Sequence, residues 1–256
     1  MNLKPKNILI SGASSGIGRA LAICYAQKDV NLFLCGRNLE KLEKTQKICN
    51  ALGANIFIKA FDIKDIDSIN RWVEEVYAKY DIDLVVANAG ISAGTSLGSE
   101  SFEQVKEIFD VNLYGVINLI QPVIEKMKQR KNGQIAIISS LAGFRGLPSS
   151  PAYSASKAAV RVYGEALRGN LAQFGIKVNV VCPGYVKTPM TDVNDFPMPF
   201  IISSTKCAQI IKNGLAKNKS RIAFPWPLYF VVWFATLISN KITDPIFARL
   251  PSKKSL

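Results

Sequence analysis

A single α/β domain built on a doubly wound parallel sheet, with an apolar helical extension at the C-terminus, is the fold that this sequence predicts. Three observations carry the expectation. Six apolar runs of strand length alternate with amphipathic helical stretches. A glycine-rich turn separates the first strand from the first helix. The 256 residues, 48% of them hydrophobic, suit one sizeable core. The expected division places a catalytic, nucleotide-binding unit in residues 1–220 and the extension in residues 221–256.

The elements follow in order. Asn7–Ser11 reads as a buried strand, and Gly12-Ala13-Ser14-Ser15-Gly16-Ile17-Gly18 opens into a helix. Glycines let a backbone turn tightly and approach a pyrophosphate, and a helix N-terminus attracts its charge. Val30–Cys35 is the second strand, ending in Gly36-Arg37 with no carboxylate before Glu40. An acid there would bind a ribose hydroxyl; Arg37 instead suits a 2′-phosphate, which makes NADP(H) the expected cofactor. A helix over Leu39–Leu52 stops at Gly53, and Asn55–Ala60 is the third strand. Asp65, as an N-cap, starts a helix running to Lys79, and Asp83–Ala87 is the fourth strand. Phe102–Lys128 is one long helix with Asn112 in its middle. Gln134–Ile138 and Ile176–Cys182 complete six strands, and Ser204–Lys217 is a further helix.

The chemistry is expected after the fifth strand. Ser139-Ser140 ends that strand, and Tyr153 and Lys157 sit four apart at the start of a helix, one turn from each other on one face. A tyrosine with an ordinary pKa of about 10 is a poor acid/base at neutral pH, and a neighbouring ammonium is expected to lower that value. Ser140 can bond the same substrate oxygen.

Tyr-x-x-x-Lys downstream of Ser-Ser resembles the active site of the short-chain dehydrogenase/reductase family, whose sheet is Rossmann-like. Four further motifs agree: the Gly12–Gly18 turn, Asn88-Ala89-Gly90, Asn112, and Pro183-Gly184 with Thr188. Ser11 stands where those enzymes commonly have Thr. The resemblance spans about residues 6–190. It implies Tyr153 as general acid/base, Lys157 as its partner and ribose ligand, Ser140 as substrate orienter and Asn112 as support of a proton relay. It implies a cofactor site of Gly12, Ser14, Ser15, Gly16, Ile17, Gly18, Arg37, Asp62, Ile63, Asn88, Ala89, Gly90, Tyr153, Lys157, Pro183, Gly184, Val186 and Thr188. Residues 191–203 occupy the place of the family's substrate lid, and their Phe, Met and Ile content suggests an apolar carbonyl or alcohol. Family members commonly assemble as homodimers or homotetramers, so self-association is expected here as well.

From Ile222 to Asn240 no residue is charged, and Trp226, Tyr229 and Trp233 are interfacial types. Lys217, Lys219, Arg221, Lys241, Arg249, Lys253 and Lys254 flank the stretch against Asp244 alone. Pro225 and Pro227 leave a helix too short to span a bilayer. Peripheral binding to an anionic membrane, burial in a dimer or in the core and, against that length, a true membrane span are the three readings of this tail.

The net charge of +13 requires an acidic partner or surface, or a generally basic protein, yet no nucleic-acid motif or aromatic–basic stripe supports binding to DNA or RNA. No histidine occurs, which excludes Ser-His-Asp hydrolysis and histidine metal sites. Five scattered cysteines in apolar runs and no visible secretory signal point to free thiols in the cytoplasm, with the membrane's cytoplasmic face as the peripheral alternative. The rival to an enzyme is a non-catalytic NADP sensor or membrane scaffold on the same fold; the complete Asn-Ser-Tyr-Lys set argues against it.

Overall fold

The computed structural model describes residues 5–96, 98–249 and 251, so Lys253 and Lys254 of the tail lie outside the described residues. The strands are β1 (Asn7–Ser11), β2 (Asn31–Gly36), β3 (Asn55–Ala60), β4 (Leu84–Ala87), β5 (Gly133–Ile138), β6 (Ile176–Pro183), β7 (Val186–Lys187), β8 (Ile202–Ser203) and β9 (Arg221–Phe224). The helices are α1 (Gly16–Tyr25), α2 (Leu39–Ala51), α3 (Ile66–Tyr77), α4 (Phe102–Phe109), α5 (Gly115–Arg130), α6 (Pro151–Ala172), α7 (Pro189–Asp192), α8 (Ser204–Ala216), α9 (Trp226–Ala235) and α10 (Asn240–Phe247).

Seven strands form one wholly parallel sheet in the order β3-β2-β1-β4-β5-β6-β9, and β7 pairs with β8 in a small second sheet. The order reverses direction beside β1, where β2 lies on one side and β4 on the other. That switch point opens a crevice at the C-terminal ends of the strands.

Both faces of the central strands are buried because β1, β2, β4 and β5 are apolar over most of their length, and alternate side chains serve opposite layers. Ile8, Ile10, Leu32, Leu34 and Val86 pack against α1, α2 and α8. Leu9, Phe33, Val85, Ile135 and Ile137 pack against α3, α5 and α6. A fully buried side chain of this size contributes roughly 1.5–3 kcal/mol, so the two layers supply most of the fold's stability.

At the opposite ends of the strands, three asparagines that are register partners join side chain to side chain. Asn31 Nδ2 donates to Asn7 Oδ1 at 2.7 Å and Asn55 Nδ2 to Asn31 Oδ1 at 3.0 Å. Asn7 Nδ2 closes the row on Asp81 O at 2.8 Å.

Three features differ from the sequence expectation. The sheet has a seventh strand, because Arg221–Phe224 at the start of the extension alternates inward Ile222 and Phe224 and pairs with β6. The long helix around Asn112 contains a π-turn at Asp110–Tyr114 between α4 and α5. The uncharged tail, read as one helix, is β9, then α9 with Pro227 in its first turn, then α10. Among the described residues no helix is long and apolar enough to cross a membrane.

Candidate active site

One large cleft, about 690 Å³, runs along the crevice. Loops from the ends of β1, β2, β3, β4, β5 and β6 line it. It holds Gly12, Ser14, Ser15, Gly16, Ile17, Arg37, Asp62, Ile63, Asn88, Ala89, Gly90, Ser140, Tyr153, Lys157, Pro183, Gly184, Val186 and Thr188. Of the expected residues, only Gly18 and Asn112 stand behind its wall.

The glycine turn explains itself sterically. Gly12 has φ +65°, and a Cβ there would lie 2.9 Å from Asn88 Nδ2. At Gly18 a Cβ would fall 2.4 Å from Gly12 O, so Gly18 seats α1 against the turn rather than facing the cleft. Asn88 Nδ2 donates to Ser11 O and Gly12 O at 3.0 and 3.3 Å, and Ser11 Oγ accepts from the backbone N–H groups of Asn88 and Ala89, both at 3.0 Å. Ser11 thus does the work of a threonine hydroxyl. The Ser15 side chain makes no cap, which leaves first-turn N–H groups of α1 facing the cleft. Across the cleft, Thr188 Cγ2 comes to 3.2 Å from the Cβ position of Gly16. Thr188 itself starts α7 in a capping box with Thr191.

Arg37 is exposed at the rim, and Lys41, from the first turn of α2, lines the same corner. Glu40, between Arg37 and Lys41 in the chain, is held by Lys44 at 2.6 Å. Asp62 accepts from Lys64 N at 3.0 Å. Gly115 lets α5 approach Ile63, whose Cγ2 would be 2.6 Å from a Cβ at that glycine.

α6 begins at Pro151, so Tyr153 and Lys157 fall in its first two turns and both face inward. Ser140 follows β5, and its hydroxyl bonds the Tyr153 side chain. Ser139 Oγ donates to Lys157 O at 2.6 Å, fastening α6 to the end of β5. Lys157 is buried; its Nζ donates to Ile138 O at 3.1 Å and lies 5.8 Å from the Tyr153 ring centroid.

Burial sets the electrostatics. It raises the Tyr153 pKa above its ordinary value, outweighing the Ser140 bond that lowers it, with the neighbouring Tyr185 raising it further. It lowers Lys157 to about 8. The expected lowering of the Tyr153 pKa by Lys157 is therefore corrected: the ammonium is turned to the Ile138 carbonyl, and desolvation of the phenol dominates. A phenol in this setting is a protonated donor throughout the neutral range.

Asn112 is fully buried in the π-turn. Its Oδ1 accepts from Ile91 N at 2.8 Å, and its Nδ2 donates to Ile91 O and Ser156 Oγ, both at 3.0 Å. It ties the loop after β4 to α6. π-turns often mark functional positions.

The sequence reading named the lid stretch but not the C-terminal helices that share the far wall with it. Leu228 and Val232 of α9 and Phe247 of α10 line the cleft, as do Phe196 and Pro199 of the lid stretch. Gly184 N donates to Phe224 O at 2.7 Å, and a Cβ on Gly184 would be 2.9 Å from Leu228 Cδ2. The 228/232 spacing of four was the available signal; the absence of charge around it obscured which way the helix faced.

A nucleotide-shaped crevice over a glycine turn, with a serine–tyrosine pair and a buried lysine at its head, defines a nicotinamide-dependent oxidoreductase. The chain belongs to the short-chain dehydrogenase family, whose pattern matches residues 6–196. An uncharacterized oxidoreductase of Myxococcus xanthus is 35% identical over 246 residues, 96% of this chain and 97% of that protein. The 3-oxoacyl-(acyl-carrier-protein) reductase FabG of Thermotoga maritima is 36% identical over 193 residues, 75% of this chain and 78% of that one. In structure the chain is similar to actinorhodin polyketide ketoreductase with NADPH, at TM-score 0.77 and 28% identity, covering 86% of this chain and 94% of that one.

Proposed function

We propose that the protein is an NADP(H)-dependent reductase of an apolar carbonyl compound. The observation that carries the reading is the Tyr153 phenol, bonded to Ser140 at the cleft wall, one helical turn from the buried Lys157 ammonium. When bound, the nicotinamide supplies hydride to the carbonyl carbon. The chain's own residues handle the oxygen. Ser140 and Tyr153 donate hydrogen bonds to it, and Tyr153 gives up its proton as negative charge develops there. Lys157, still charged below about pH 8, stabilises the resulting tyrosinate. Asn112 holds Ile91 and Ser156 in place around this group.

The cradle fits the cofactor. Gly12, at φ +65°, makes the tight turn that seats this loop against Asn88 and Ala89, and the first turn of α1 offers N–H groups for phosphate. Arg37 and Lys41, with Glu40 neutralised by Lys44, favour a 2′-phosphate over a bare ribose hydroxyl. The FabG relative and the ketoreductase fold support reduction as the direction. Leu141, Phe196, Leu228, Val232 and Phe247 around the head of the cleft favour an apolar substrate, and the tail favours peripheral association with a membrane.

The test is loss of NADPH absorbance with a panel of short ketones, long-chain aldehydes and acyl thioesters, for the unaltered protein and for Tyr153→Phe. Removing the proton donor is expected to slow turnover on the order of a hundred- to ten-thousand-fold, with NADPH affinity unchanged. Tight NADPH binding without turnover of any carbonyl would replace this reading with a nucleotide sensor.

A further inference from the structure

The C-terminal helices are apolar on two sides. α9 turns Leu228 and Val232 inward, onto Leu141 and Phe144 and into the cleft. Its other side exposes Trp226 (70%), Phe230, Trp233 and Phe234. Their rings lie against one another: Trp226 to Phe230 at 5.8 Å and Phe230 to Phe234 at 5.9 Å between centroids. Leu237 and then Ile242 of α10, 65% and 61% exposed, continue the strip. Val231 and Ile246 belong to both surfaces. They line the cleft, yet are 59% and 62% exposed. The cleft therefore opens within the apolar strip, and Met190 of α7 also lines it.

A helix that is apolar all round belongs in a core or in lipid, and α9 is at the surface. The acids beside it are both paired, Glu165 with Arg161 and Arg221 at the start of α9 and Asp244 with Arg145 on α10. Asp244, the only carboxylate after residue 221, is tied to Arg145, which also stacks on Phe247 and so clamps α10 over the cleft. Lys241 and Arg249 form no ion pair among the described residues. An aromatic strip edged by unpaired cations is complementary to an anionic bilayer surface. A second copy seated on the strip would instead plug the mouth.

We propose that α9 and α10 dock on an anionic membrane and that the cleft receives its substrate from the bilayer through the gap at Val231 and Ile246. The substrate class is a long-chain lipid carbonyl whose chain stays in the membrane while its head reaches Ser140 and Tyr153. The inference rests on the reductase reading above, with the same transfer of hydride to carbon and of the Tyr153 proton to oxygen.

The experiment uses the full chain with NADPH and vesicles of phosphatidylcholine containing phosphatidylglycerol. It compares the unaltered protein with F230E/F234E, two exposed positions that do not line the cleft. Flotation reads binding. Quenching of Trp226 and Trp233 by brominated phosphatidylcholine reads depth, with the buried Trp72 as internal reference. Turnover is read with hexadecanal dissolved in the vesicles and with butanal in water. The unaltered protein is expected to float and be quenched. F230E/F234E is expected to lose at least about tenfold in flotation and in hexadecanal turnover while keeping butanal turnover.

Failure of the unaltered protein to float overturns the proposal. So does an equal loss on both aldehydes in F230E/F234E, or light scattering that shows a dimer which the two substitutions dissociate. If neither aldehyde consumes NADPH while quenching persists, the reductase reading has failed and takes the access route with it; the docking face then stands alone.

Discussion

Asn112→Ala isolates what the π-turn does. The side chain is fully buried and satisfies Ile91 N and Ile91 O together, as well as Ser156 Oγ. Truncation leaves Ser156 with its bond to Tyr153 O at 2.8 Å, so two backbone groups of Ile91 are orphaned. Each orphan costs about 1–3 kcal/mol, and water entering the gap relieves part of that, for a net loss on the order of 2–4 kcal/mol. For a domain of this size roughly 2–4 °C of Tm accompany each kcal/mol, so thermal unfolding followed by circular dichroism should fall by roughly 5–15 °C. Asn118→Ala is the control. It removes a single 3.4 Å bond to Ile63 O from α5, the helix that follows the π-turn, and should lose less than about 1 kcal/mol. NADPH affinity should weaken with Asn112→Ala, because the Asn88–Ile91 loop is no longer held from behind. A Tm equal to that of the Asn118 control, with only turnover reduced, would refute the tie and leave Asn112 a proton-relay residue alone.

Two further outcomes follow from the charges. NADPH should bind more tightly than NADH, and Arg37→Asp should erase the difference, a loss of about 1.5–3 kcal/mol or roughly ten- to a hundred-fold in Kd by fluorescence titration; equal affinities in the unaltered protein would defeat the assignment. Lys157 is pushed down from 10.5 to about 8 by burial, so between those values the unfolded chain binds more protons than the fold. Compared with Lys157→Met, the cofactor-free protein should therefore gain stability as pH rises from about 8 to 10.5, while carbonyl reduction falls over the same rise as the ammonium is lost; denaturant unfolding at pH 7 and 10 with no such difference would show the lysine is not buried as a cation.

What was legible in the sequence was local and periodic. The Gly12–Gly18 turn needed only the backbone space that its neighbours leave, and four-residue spacing on a helix put Tyr153 and Lys157 on one face. The direction of the Tyr153 pKa was not legible, because spacing conveys proximity but not that Lys157 turns to the Ile138 carbonyl. Arg221–Phe224 was too short and too close to Pro225 to stand out as a strand, and its pairing with β6 is a long-range fact. The inward face of α9 was hidden for a related reason: a helix with no polar side carries no pattern to orient it. Asn112 looked like a mild mid-helix liability until the π-turn brought Ile91 and Ser156 to it.

The amide row of Asn7, Asn31 and Asn55 sits at the end of the sheet away from all of this chemistry. β1 and β2 are straight rods from there to the crevice, about 16 Å long. A parallel strand that slipped by two residues would keep its faces and most of its burial, so apolar packing alone discriminates weakly against that error. The slip would carry the Gly36–Arg37 corner about 6.6 Å along the strand relative to the Gly12 turn. Three uncharged side chains thus act as the zero mark of a ruler whose far end is the Gly36–Arg37 corner of the cleft, and the alignment of that corner with the Gly12 turn is kept at the opposite edge of the molecule.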